Sequence, residues 1–168
     1  MSRTDALSVV WACALTLGMS AQHLHAQRPE RQLEVHVPGT DVTLKAGWQL
    51  FFHDVCRVAV PVSWHDEADG GLIVAPDGSS LSLRALRTTN WSGYKAQVKA
   101  AYVHPKALHD DSERRLWLEI GDLPTVQHYI AVVSGSTVCN GILEIHSRTL
   151  PDIDDTIKRI ADSISFGN

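Results

Sequence analysis

Histidine beside carboxylates is the reactive pattern that recurs along this chain. It appears as His53-Asp54, as His65-Asp66-Glu67, and as His109-Asp110-Asp111 followed by Glu113. Imidazole nitrogens and carboxylate oxygens together suit a zinc-class ion, which takes three or four such ligands converging from different segments. The densest stretch is HPKALHDDSE, where His104, His109, Asp110 and Glu113 fall within ten positions and form the candidate metal set. No H-E-x-x-H or H-x-H spacing occurs after residue 26. The competing reading is a solvated loop whose His and Asp side chains simply face water.

Other chemistries have less to work with. There is no G-x-S-x-G elbow, and Ser134-Gly135-Ser136 reads as a hairpin loop. Paired carboxylates for glycoside chemistry would come from Asp66-Glu67-Asp69 and Asp110-Asp111-Glu113, but acidic loops are usually just solvated. Cys139, with His128 or His146 as base, is a conceivable nucleophile. Trp117 runs out of phase with Leu116, Leu118 and Ile120 and shares its strand face with Glu119. That pair is a candidate binding surface for a sugar or a partner peptide, unless helices cover both sheet faces and make the indole core. Asn90-Trp91-Ser92 matches the glycosylation sequon, though at a helix start its simpler role is a cap. No catalytic residue is assigned, and no cofactor is expected.

The ends and the cysteines bear on compartment. Arg3, an apolar run from Ala6 to Met19, and the small residues Ala21 and Ala26 follow the order of a secretory signal peptide. We expect residues 1–26 to be cleaved, with the cut after Ala26 preferred over Ala21, and residues 27–32 to be a flexible leader. The apolar run is short of the ~20 residues that a membrane span needs, so no transmembrane segment is expected after cleavage. Trp11 spoils a lipobox before Cys13. Cleavage would remove one base and one acid, Arg3 and Asp5, leaving the net charge at -4. No basic patch remains, which argues against nucleic acid as a partner. Two cysteines stay, Cys56 and Cys139, each alternating with apolar residues on one strand face. In an oxidising compartment such a pair reads as a disulfide, with two buried free thiols as the alternative. The expected location is periplasmic or secreted.

These residues are positioned by elements that the hydrophobic period predicts. Alternating or apolar runs at 33–37, 48–54, 56–60, 71–75, 80–86, 116–120, 126–133 and 137–146 read as strands. Pro76-Asp77-Gly78-Ser79 is a hairpin turn. Trp91, Tyr94, Val98 and Tyr102 recur at helical spacing, with Thr89 or Asn90 as cap, and residues 105–114 read as a polar loop. Ile153, Ile157, Ile160 and Ile164 form the buried stripe of a terminal amphipathic helix, with Asp152, Asp154 and Asp155 at its positive end. Residues 33–168 are thus expected to form one globular α+β domain. Its central antiparallel sheet would have six or seven strands, with an internal and a C-terminal amphipathic helix packed on it.

The order of these elements, with Trp48, Val60-Pro61, Trp64, Asp77-Gly78 and Ile157 to Ile164 in place, resembles the PsbP-like α/β/α sandwich over about residues 47–166. That superfamily includes an extrinsic photosystem protein, a nuclear-import factor and small exported bacterial proteins. The resemblance implies a binding or accessory module and supplies no shared catalytic residues. Two functions remain to be weighed. One is an exported, non-catalytic module of the cell envelope that binds a protein or envelope component. The other is a small metal-dependent or hydrolytic enzyme using the His/Asp-rich loop 104–113.

Overall fold

The computed structural model describes residues 34–37, 42–67, 71–121, 125–146 and 152–167. The expected signal peptide, its cleavage positions and the leader lie outside the described residues. The chain runs β1 (Glu34–His36), β2 (Thr43–Lys45), β3 (Trp48–His53), β4 (Cys56–Pro61), β5 (His65–Asp66), β6 (Leu72–Val74) and β7 (Ser80–Arg87). It continues through α1 (Trp91–Ala101), β8 (Ala107–Asp111), β9 (Arg115–Ile120), β10 (Val126–Ser134), β11 (Thr137–Ile145), α2 (Ile153–Ser163) and β12 (Ser165–Phe166).

Seven strands form an antiparallel sheet in the order β5-β6-β7-β11-β10-β9-β8. Three strands expected from the sequence lie outside that sheet. β3 and β4 pair with each other and, through β4, with β12 in a separate three-stranded sheet, while β1 pairs with β2. Period alone cannot distinguish these cases, because a strand buried on one face alternates in the same way whichever sheet it joins. A second difference is β8. The stretch from Ala107 to Asp111 is a strand at the sheet edge rather than a polar loop. Its His, Asp and Asp residues are tolerated there because an edge strand has one side open to water.

Each face of the large sheet has its own core. On one, the half-buried Trp91, Tyr94 and Val98 of α1, with Tyr102 at its C-terminal cap, pack against Leu116, Leu118, Tyr129, Ala131 and Val138. Asn90 caps that helix, its Oδ1 accepting from the Gly93 N–H at 2.8 Å. On the other face, Ile157, Ile160, Ala161 and Ile164 join Val58 and Val60 of β4 against Leu81, Leu83, Trp117, Ile130, Leu143 and Ile145. Helices and the small sheet thus fill the two sides, as the sequence periodicity requires. At Gly141 an added Cβ would sit 2.5 Å from the Ile164 Cδ1, so the end of that side chain would have to shift to admit one. The Asp77 carboxylate accepts from both the N–H and the hydroxyl of Ser79, fixing the β6–β7 turn.

Cys56 and Cys139 are bonded, with their Cα atoms 5.5 Å apart. Both are fully buried. The bridge ties β4 of the small sheet to β11 of the large one. Val58, Val60 and Trp64, which follow Cys56 in sequence, are core, whereas Val62 after Pro61 is exposed.

Candidate functional site

The chemistry-bearing residues gather at the β8 end of the large sheet, on the face that α2 covers. β9 and β10 form a hairpin whose register sets Glu119 opposite His128. β8 pairs with the other side of β9, but its register slips: Leu108 lies opposite Leu118, and Asp110 opposite Trp117. His109 is therefore the extra residue of a β-bulge. A bulge re-aims side chains, which is why it recurs beside functional sites. Here it brings the His109 ring onto Trp117, with centroids 4.4 Å apart and the planes stacked. His109 Nε2 lies 3.1 Å from Glu119 Oε2.

The remaining contacts knit the cluster together. Lys106 Nζ is 3.3 Å from the other Glu119 oxygen. The Trp117 indole N–H donates to His128 Nδ1 at 3.3 Å. The Arg115 guanidinium lies over the Trp117 ring at 5.1 Å, and also pairs with Asp162 of α2 at 2.8 Å. Glu119 is 12% exposed at its side chain and His109 is 34% exposed, so the acid is sunk and the imidazole sits at the rim. His128 is 2% exposed. Beside them opens a cleft of about 570 Å³, closed on the helix side by Asp154, Ile157 and Lys158. Two other hollows, of about 560 and 390 Å³, lie against the small sheet and α2 and have no such convergence of imidazole, carboxylate and indole.

Of the four residues that sequence spacing groups as ligands, only His109 enters this cluster. Asp110 turns to Arg115 at 4.0 Å and to the Ser112 N–H. Glu113 is exposed in the β8–β9 turn, and His104 is exposed after α1. Among the described residues, the group of His, Cys, Asp and Glu side chains close enough to share an ion is His109, Glu119 and His128. The four are not brought together, because a paired strand presents its neighbours across the sheet, not along the chain. Trp117 and Glu119 do share a face, as expected, but Trp117 is only 9% exposed and is stacked by His109. It belongs to the floor of the cleft, not to an open stacking surface. Glu119 and His128 as partners were missed. The two runs read as successive strands, but the pairing of Ile120 with Gln127 that sets 119 opposite 128 is fixed by the folded hairpin and not by alternation alone.

Of the other acidic stretches, one is engaged by lysines. Asp111 accepts from Lys95 at 2.6 Å and from Lys99 at 2.7 Å, and these hydrogen bonds hold its carboxyl below the usual range. Asp66 and Glu67 are exposed, and Asp69 lies outside the described residues. His53 is 3.7 Å from Asp54. Cys139 is in the disulfide, which removes it as a nucleophile.

Fold and site together define a mixed α/β domain, two helices on a seven-stranded antiparallel sheet, with a polar cleft floored by an indole at one sheet edge. No protein-family model and no curated protein matches the chain. Among solved structures, it is similar to the solution structure of cyanobacterial PsbP (CyanoP) from Synechocystis sp. PCC 6803. The TM-score is 0.48 at 12% identity, over 79% of this chain and 98% of that one. The resemblance to the PsbP-like fold is weak, and it is one of fold only.

Proposed function

We propose that this chain is an exported, non-catalytic binding or accessory module of the cell envelope, and that its ligand enters the cleft between β8, β9, β10 and α2. The observation that carries this reading is how the reactive groups of the cleft are committed. Glu119 is engaged by Lys106 and His109, and His128 receives the Trp117 indole. Both remaining cysteines are bonded to each other. Such a lining offers charge, an aromatic floor and hydrogen-bonding groups, which suits recognition better than activation of a nucleophile. Export is supported by the N-terminal residue order and by a buried disulfide, a bond that persists in oxidising compartments. The enzyme reading centred on residues 104–113 has weaker support, because His109 alone of its four candidate ligands reaches the cluster.

Intact-mass spectrometry on protein recovered from the envelope fraction tests the export half. The expected product starts at Gln27 and is lighter by ~2 Da than the reduced chain. Full-length, reduced protein retained in the cytoplasm would sink that half. Turnover of an ester, phosphoester, peptide or glycoside substrate that disappears in His109→Ala would sink the non-catalytic half.

A further inference from the structure

We propose that His109, Glu119 and His128 are the protein ligands of a divalent transition-metal ion of the zinc class, with a further coordination position open to the cleft. The proposal takes the cleft from the binding-module reading and names a ligand for it. A bound ion does not by itself make the module an enzyme, so the two ideas fail on different measurements.

Three observations converge. The first is placement: three adjacent strands contribute one ligand each, and their donor atoms all lie within 4.8 Å of one another. A tetrahedral zinc ion has its donors at about 2.0–2.2 Å and so about 3.3–3.6 Å from each other. Small side-chain adjustments bring this cluster to that spacing, and His109 Nε2 and Glu119 Oε2 are already 3.1 Å apart. The second is ligand type. Two imidazoles and one carboxylate suit zinc, cobalt, nickel or copper, whereas magnesium and calcium require mostly oxygen. The third is the scaffold. The bulge that re-aims His109 and the burial of His128 hold the ligands in place before any ion arrives.

The surroundings predict what loading would change. A neutral imidazole has one lone pair in the ring plane, and in this structure His128 uses its Nδ1 pair to accept from Trp117. An ion on either ring nitrogen takes a lone pair, and the remaining nitrogen keeps the proton. The ring then has no acceptor for the indole N–H, and the Trp117 bond must break. Trp117 thus reports occupancy of the site. Lys106 places a positive charge 3.3 Å from the Glu119 carboxylate and competes with a cation there.

The test uses the mature chain with its disulfide intact, stripped by chelator, and titrated with Zn²⁺ in a calorimeter and with Co²⁺ by visible absorption. We expect one equivalent bound, a tetrahedral-type cobalt spectrum, a shift in tryptophan emission on loading, and no displacement by millimolar Mg²⁺ or Ca²⁺. His109→Ala, at a partly exposed position, is expected to weaken Zn²⁺ binding by at least about tenfold with the unfolding curve unchanged. Lys106→Met is expected to tighten it several-fold, an effect that a merely structural lysine does not produce. No stoichiometric binding, or an affinity unaltered in His109→Ala, overturns the site. So does Lys106→Met binding no more tightly than the parent. Loss of the metal site on these grounds leaves the binding module standing. A loaded protein that turns over substrate removes the module and keeps the metal.

Discussion

Replacing Cys56 and Cys139 together by alanine is the perturbation whose size can be worked most directly. The bridge joins residues 83 apart in sequence and links the small sheet to the large one. In the chain-entropy treatment a closed loop of that length restricts the unfolded chain by about 4.5 kcal/mol at 25 °C. Both sulfurs are fully buried, so their loss also leaves a small void in the core they share with Val58 and Leu143. Measured values often fall below the entropic figure, so a loss of about 3–4 kcal/mol is expected. For a domain of this size the urea m-value is about 1.5–2 kcal/mol/M, which places the midpoint about 2 M lower in the variant. The m-value itself should rise, since the unfolded chain without the bridge expands further. Urea unfolding followed by tryptophan emission, with the oxidised parent, the reduced parent and the double variant compared, reads all of this. A midpoint within about 0.5 M of the oxidised parent for both other forms would refute the reasoning, because loop closure would then carry little of the stability.

Further outcomes follow from the packing. The Tyr94 and Tyr129 hydroxyls are hydrogen-bonded at 2.5 Å, and burial raises the pKa of both. Their contribution is complete below the unfolded tyrosine value of about 10 and is lost as pH climbs above it, where the unfolded chain ionises first. Urea midpoints should therefore fall between pH 9 and 11, and less steeply in Tyr129→Phe; an equal slope in that variant would count against the pairing. Asp111 is held low by its hydrogen bonds to Lys95 and Lys99, so its stabilisation is present above about pH 4 and fades as pH drops through its lowered value. Asp111→Asn should flatten the acid limb of the stability curve while costing under about 1 kcal/mol at neutral pH. Ile160→Ala empties a fully buried position between α2 and both sheets and should cost about 3 kcal/mol in chemical unfolding; a loss under about 1 kcal/mol would mean that the helix is not docked as described.

Much of this molecule is written locally. The stripe Ile153, Ile157, Ile160 and Ile164 recurs at helical spacing, so one side of α2 must be covered wherever it docks. Cys56 and Cys139 alternate with apolar neighbours, which sends both sulfurs inward and makes their bridge legible. The Asp77-Gly78 turn and the Asn90 cap are equally local, since each satisfies backbone groups within three residues of itself.

What the residues alone could not decide was partnership across distance. Trp48 to Pro61 alternates as a strand pair should, yet nothing in the alternation says that β3 and β4 form their own sheet with β12. Ala107 to Asp111 is too polar to read as a strand, and only the open edge beside β9 makes it one. The candidate site shows the same division most sharply. The sequence determined the stock of ligand types, a disulfide, two amphipathic helices and a set of alternating strands. Only the tertiary structure decided that His109, rather than its neighbours, meets Glu119 and His128, because the bulge in β8 and the β9–β10 register set which side chains share a face. Local propensity acts over a few residues, whereas these three lie 9 to 19 positions apart and meet only once the sheet has closed.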